Sequence, residues 1–324
     1  VIRVGLVLGA GGVVGQAYHA GVLAALEQDL GWDARGADII VGSSAGSVTG
    51  TLLRLGVPAS DLASHAVESP LSPDGAPILD QLIVAPFPPP TVASLLRPWR
   101  GPSLALLARF ARRPWAFRPD VAAVTLLPAG QLDISDRVDR LTGLVGEEWP
   151  QGLWICAVRR ADGARTVFGR AGAPAASLAS AVAASCAIPG YFAPVDIGGV
   201  EYLDGGVHSP TNAATLRGLG LDLVVVVSPM SAVRGQAAGP GALMRRSAHL
   251  RLDAEIRALQ AEGTSVVRFE PGARSLPAMG LNAMASDRSV RVVQQAFLEA
   301  GAYAATNKVR GRLLALQFGT PRSV

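Results

Sequence analysis

Two short apolar runs, each ending in a glycine-rich turn and followed by a helix-like stretch, constrain the fold of this chain more than any other feature. Val4-Gly5-Leu6-Val7-Leu8 enters Gly9-Ala10-Gly11-Gly12, and Asp38-Ile39-Ile40-Val41 enters Gly42-Ser43-Ser44-Ala45-Gly46. Runs this short and this continuously apolar suit strands covered on both faces, and the stretches 17–27 and 45–55 suit the helices that follow them. Strand, loop and helix in succession require a crossover, which lays the strands parallel and places helices on the sheet. The expected class is α/β, with a central, mainly parallel sheet flanked by helices.

Further strands are predicted at 153–158, 165–168, 221–227 and 264–269, and further helices at 174–186, 244–260 and 286–303. Between Pro70 and Pro119 the texture changes, with Pro86, Pro88, Pro89, Pro90, Pro98, Pro102 and Pro114 among Leu, Trp and Arg. Proline removes backbone donors and restricts its predecessor, so this region reads as loop and short helix, a cap over about 68–130 inserted into a single domain of residues 1–324. Residues from about 240 to 324 add C-terminal helical and strand elements.

Aromatic residues make up 5% of the chain and charged residues 17%, so the interior is built from Ala, Val, Leu and Gly. The stretches 4–26 and 171–195 carry no formal charge. Each has the length of a membrane span, yet glycines interrupt the first and Pro174, Pro189 and Gly190 the second, which favours buried core segments. A signal peptide is not evident, since Arg3 is followed by a very short apolar run and then glycines. The net charge of +4 is carried by Arg, Lys308 being the only Lys, and is not gathered into a dense basic stripe. Nucleic acid is therefore not an expected partner. Cys156 and Cys186 alone do not make a disulfide framework, which fits a cytoplasmic protein with reduced thiols. No grouping of His, Cys and carboxylates has metal-ligand spacing, so neither metal nor cofactor is expected.

Ser44 is the candidate nucleophile. A strand turning sharply into a helix around G-x-S-x-G lifts the serine oxygen clear of the sheet, and Gly42 and Gly46 permit the turn. Such a serine needs a base for its proton and donors for an oxyanion. The loop Gly9 to Gly15 offers helix N-terminal N–H groups that suit either a dinucleotide pyrophosphate or an oxyanion. A ribose-binding carboxylate after the second strand is missing, because Val41 runs into Gly42. Two bases are available. The order Ser44, Asp204, His249 matches an α/β-hydrolase triad, although only two strands precede Ser44 and His249 falls in a helical stretch. Alternatively, Asp204 in Asp204-Gly205-Gly206 ends a short extended segment, and its two glycines let the carboxylate turn into a cleft.

Taken together, these elements resemble the patatin-like phospholipase family. The resemblance rests on the loop Gly9 to Gly15 with Ala20-Gly21-Val22-Leu23, the elbow Gly42 to Gly46, the segment Ala184-Ser185-Cys186-Ala187-Ile188-Pro189-Gly190-Tyr191-Phe192-Ala193-Pro194-Val195, and Asp204-Gly205-Gly206 with Pro210 beyond it. It implies a three-layer α/β sandwich and a serine lipid acyl hydrolase working through a Ser-Asp dyad. Ser44 would be the nucleophile and Asp204 the base, with the N–H groups of Gly11, Gly12 and Val13 as the oxyanion hole and that of Ala45 assisting. The substrate would be a lipid ester: phospholipid, lysophospholipid or acylglycerol. The family's loop carries a basic residue where this chain has Val14, which leaves a catalytically silent lipid- or nucleotide-binding module as a further reading. Phe87, Leu95, Leu96, Trp99, Arg100, Phe110, Arg112, Arg113, Trp115 and Phe117 in the cap suit either a peripheral membrane contact or packing over the cleft.

Overall fold

The computed structural model describes residues 2–81, 104–112, 118–130, 132–134 and 148–314. Among these residues eight strands form one sheet: β1 (Val4–Leu8), β2 (Ile39–Ser43), β3 (Leu153–Arg159), β4 (Arg165–Phe168), β5 (Val195–Ile197), β6 (Val200–Asp204), β7 (Leu223–Val227) and β8 (Ser265–Phe269). The pairs β1–β2, β1–β7, β2–β3 and β7–β8 are parallel. Only the end containing β4, β5 and β6 is antiparallel. The helices are α1 (Gly12–Leu30), α2 (Ala45–Arg54), α3 (Ala59–Ala66), α4 (Ala76–Leu79), α5 (Leu104–Arg112), α6 (Pro119–Thr125), α7 (Leu178–Ser185), α8 (Ala242–Gln260), α9 (Ser275–Met279), α10 (Ser289–Ala304) and α11 (Asn307–Leu313).

Alternation along the strands divides the core. Leu6, Leu8, Ile40, Ile155, Val225 and Phe269 pack on one face with residues of α1, α2, α7 and α10. Val7, Val41, Trp154, Val224 and Val266 point the other way, onto Leu252, Ile256 and Leu259 of α8 and onto Ala213 and Leu216. Both faces are therefore covered, as a parallel sheet requires, and the architecture is the expected three-layer α/β sandwich.

The charge-free stretch at the N-terminus becomes β1, the glycine loop and most of α1. Residues from Val14 to Leu26 of that helix are buried on nearly every side, apart from Gln16. Helices α2, α3 and α10 pack on it, and its apolar residues share the core beneath the sheet, which is how a helical stretch without formal charge is satisfied inside a protein. Small residues make the fit: a Cβ on Gly21 would stand 2.8 Å from the Cβ of Ala296 and would strike the Val293 carbonyl. The second such stretch yields only the eight-residue α7, which begins at Leu178, beyond the predicted start. Among the described residues no helix is long and apolar enough to cross a membrane.

The registers on β3 decide where the ends of two strands meet. β4 pairs with residues 155–158, β2 with 153–156 and β6 with 157–159. Because β4 occupies one edge of β3, β2 and β6 both lie along the other. β2 runs parallel to β3 and ends with Ser43 opposite Cys156, while β6 runs antiparallel and ends with Asp204 opposite Ala157. Their carboxyl ends therefore come together tip to tip.

Candidate active site

Ser44 follows β2 with φ 51° and ψ −119°, an uncommon conformation for any residue but glycine, and the chain enters α2 at once. Strain of this kind costs on the order of 1–3 kcal/mol and persists only where the surroundings fix it. Here they do. A Cβ on Gly46 would strike the Leu8 carbonyl, and one on Gly42 would stand 2.6 Å from the Gly46 carbonyl oxygen, so the elbow closes only with glycine at both positions. From the helix side, Ser47 donates both its N–H, at 2.8 Å, and its hydroxyl, at 2.7 Å, to the Ser44 carbonyl.

The ladder between β2 and β3 is broken where the chain turns away, and a side chain mends it. The Ser185 hydroxyl, at the end of α7, accepts the Ser44 N–H at 2.9 Å and donates to the Cys156 carbonyl at 2.7 Å. Ser185 is fully buried, so two backbone groups that would otherwise be orphaned are satisfied by one hydroxyl.

Asp204 arrives from the opposite direction. Its carboxylate accepts the Gly206 N–H at 2.7 Å and a hydrogen bond from Ser44. Burial raises its pKa to about 6 even though both hydrogen bonds act to lower it. The turn beyond requires glycine: a Cβ on Gly205 would strike the Cys156 carbonyl, and one on Gly206 would stand 2.9 Å from the Cβ of Ala10. The predicted residues Ser44 and Asp204 are thus neighbours, joined directly.

The glycine-rich loop lies against the same turn. Gly9 donates to the Val227 carbonyl at 2.9 Å and Ala10 to that of Pro210 at 2.7 Å, while Val14 donates to Ala283 at 3.0 Å. Between them, the N–H groups of Gly11, Gly12 and Val13 meet no acceptor among the described residues. Gly12 adopts φ 62°, and a Cβ on Gly15 would lie 3.5 Å from that of Ala45, so the N-termini of α1 and α2 converge. Converging helix N-termini favour negative charge. The Val14 side chain, 2% exposed, belongs to the core.

Asn212 carries no signal in sequence reasoning beyond its place shortly after the Asp-Gly-Gly turn. It is fully buried in the left-handed region (φ 53°) and donates to the Ser43 hydroxyl at 2.9 Å, the Gly205 carbonyl at 3.1 Å and the Ser209 carbonyl at 2.8 Å. It ties the turn after Asp204 to the strand before Ser44. Glu255 of α8 holds the flanking residues, accepting the Thr211 hydroxyl at 2.6 Å and the Ala213 N–H at 3.0 Å.

His249 is not brought to Ser44. Its Nδ1 lies 2.8 Å from Glu270 and its Nε2 3.4 Å from Asp253, on the β8 side of the molecule, where Arg268 joins both carboxylates. A triad through this histidine has no geometric basis. The only buried imidazole close to the loop, His19, contacts the Thr49 hydroxyl at 3.2 Å, and burial lowers its pKa to about 3, so it is neutral. Among the described residues no cluster of His, Cys, Asp and Glu could hold a metal ion. Of the cap residues, Phe87, Leu95, Leu96, Trp99, Arg100, Arg113, Trp115 and Phe117 lie outside the described residues, as does the side chain of Phe110, while Arg112 is exposed.

A strand-to-helix serine, an aspartate at the head of an Asp-Gly-Gly turn and a glycine loop with unused N–H groups now stand in one place, and the model of the patatin-like phospholipase family matches residues 6–217. The chain belongs to that family. Uncharacterized NTE family proteins of Mycobacterium bovis and Mycobacterium tuberculosis are 30% identical to it over 275 residues, 85% of this chain and 60% of theirs. The patatin-like chain thus spans about three-fifths of the length of those relatives. Among solved structures it is similar to VipD from Legionella pneumophila (14% identity, TM-score 0.42, covering 97% of this chain and 66% of that one). It is also similar to the type III effector ExoU (17% identity, TM-score 0.38, covering 98% and 54%).

Proposed function

We propose that this patatin-like protein is a serine hydrolase of lipid acyl esters, with Ser44 as nucleophile and Asp204 as the base. The observation that carries this reading is the hydrogen bond from Ser44 to a carboxylate whose burial has raised its proton affinity to about 6. An ordinary surface aspartate is too weak a base to assist a hydroxyl, and desolvation narrows that gap. Asp204 takes the Ser44 proton as Oγ bonds to the ester carbonyl carbon. The carbonyl oxygen becomes an oxyanion, held by the N–H groups of Gly11, Gly12 and Val13 and by the two helix N-termini. Collapse breaks the bond to the alcohol, which leaves with the proton from Asp204 and gives acyl-Ser44. Water then loses a proton to Asp204 and attacks the acyl carbon. Collapse of the second intermediate releases the carboxylic acid and returns the proton to Oγ.

Loss of the basic side chain at position 14 leaves oxyanion stabilisation to backbone donors and helix dipoles, which are present regardless of side chain. The deciding experiment is labelling by a fluorophosphonate, followed by turnover of a soluble aryl ester and of lysophospholipid, phospholipid and triacylglycerol. Ser44→Ala is expected to lose labelling, and Ser44→Ala and Asp204→Asn each to lower turnover by at least about a thousandfold with the fold intact. Normal turnover by either variant would remove the dyad, and an unlabelled wild type would favour a silent binding module. With Asp204 as base, kcat/KM is expected to rise with pH on a limb centred near 6.

A further inference from the structure

The surface next to the glycine-rich loop carries large aliphatic side chains that the fold does not cover. Leu243 and Met244, in the first turn of α8, are 83% and 53% exposed, and Leu281 is 73% exposed. They belong to one patch: a Cβ on Gly241, two residues before Leu243, would lie 3.4 Å from Leu281 Cδ2. The loop bearing Leu281 reaches the candidate active site. Its Ala283 carbonyl accepts the Val14 N–H, and Met284 Sδ lies 3.0 Å from where a Gly12 Cβ would be.

The segments that carry this patch are rich in arginine. Residues 228–252 contain four arginines and no acid, and residues 271–291 contain three arginines and one acid, Asp287. Arg234, Arg246, Arg274 and Arg291 are exposed. Exposed aliphatic side chains on arginine-rich segments suit an anionic bilayer, in which the side chains enter the headgroup boundary and the arginines meet lipid phosphates.

We propose that Leu243, Met244 and Leu281, with the exposed Arg234, Arg246 and Arg291 on the segments that bear them, form a docking face for an anionic lipid surface that brings the bilayer to the oxyanion loop. The proposal rests on the reading of the protein as a lipid acyl hydrolase in that the face delivers the substrate to that site. The test is flotation with vesicles of phosphatidylcholine alone and of phosphatidylcholine mixed with phosphatidylglycerol, alongside hydrolysis of a soluble short-chain aryl ester.

Wild type is expected to float with the anionic vesicles and to be released by salt. The double variant Leu243→Glu, Leu281→Glu is expected to lose about tenfold or more in partitioning while hydrolysing the soluble ester as wild type does. Arg234→Gln with Arg246→Gln is expected to weaken anionic binding several-fold and leave neutral vesicles unaffected. Wild type that ignores both vesicles, or a glutamate variant that floats undiminished, overturns the proposal. So does a change of sedimentation coefficient in the glutamate variant at unchanged vesicle binding, which would make the patch a contact between copies of the chain. A wild type that floats but does not hydrolyse the soluble ester counts against the hydrolase reading and leaves the docking face supported.

Discussion

At the scale of single residues, the candidate site consists of buried polar groups each held by a few named partners, and each partner has a measurable weight. Asp204 has its pKa raised from 3.8 to about 6 by burial, so its ionised form is tolerated less well in the folded chain than in the unfolded one. A raised carboxylate pKa means that stability is fully present below about pH 4 and is lost as pH climbs through 6. The loss amounts to about 3 kcal/mol above that window. Asp204→Asn, which keeps an oxygen for the Gly206 N–H, should therefore be more stable than wild type by about that amount at pH 8 and no more stable at pH 4. Urea unfolding at both pH values checks this. Ser185 has the opposite character, because removing its hydroxyl strands the Ser44 N–H and the Cys156 carbonyl. Ser185→Ala is expected to cost about 2–4 kcal/mol and to slow fluorophosphonate labelling of the folded protein. Replacement by Thr should recover both in part. Ser44 was legible from its own neighbours because an elbow needs glycines at fixed offsets. The bridging task of Ser185 was not, since it depends on a gap in a ladder that only the assembled sheet contains.

At the scale of elements, glycines set how closely helices approach the sheet. The Leu8 carbonyl of β1 lies where a Gly46 Cβ would be, so Gly46→Ala must push α2 off the sheet and move the elbow with it. The expected cost is about 2–4 kcal/mol, seen as a lowered urea midpoint, with hydrolysis reduced beyond the loss of folded protein. Gly36, whose added Cβ would meet nothing within 4 Å, is the matched control. Element by element, the long regular segments were readable. β1, β4, β8 and α8 fall within two residues of expectation because continuous apolar runs and helical periodicity are local properties. α1 exceeds its predicted range at both ends because glycine discouraged extension upstream, whereas packing against α10 overrides that propensity. Asp196 and Glu201 are cross-strand partners on β5 and β6, with Gly198 and Gly199 making the turn between them. With only three residues, β5 gives too little alternation to be recognised in advance.

At the scale of the whole molecule, two buried titrating groups pull stability in opposite directions. His19, lowered to about 3, stays neutral when folded, whereas it takes a proton near 6.5 when unfolded. A lowered histidine pKa removes stability as pH falls from 6.5 towards 3, and Asp204 restores it over about 6 to 4. The contributions of these two groups cancel between pH 4 and 6, so they leave stability level there. In Asp204→Asn the histidine is unopposed, and unfolding free energy should fall by roughly 1.4 kcal/mol per pH unit as pH drops across that interval. A level profile in that variant would show that His19 is not the buried neutral group described. The sheet itself has a consequence for descent. Ser44 and Asp204 are aligned by their neighbours on β3, and among the described residues no rung of that ladder comes from the segment between Arg54 and Pro150. Insertions in that segment beyond α3, which packs on α1, would therefore leave the spacing of nucleophile and base to the register on β3, so lineages can vary its length without touching the dyad.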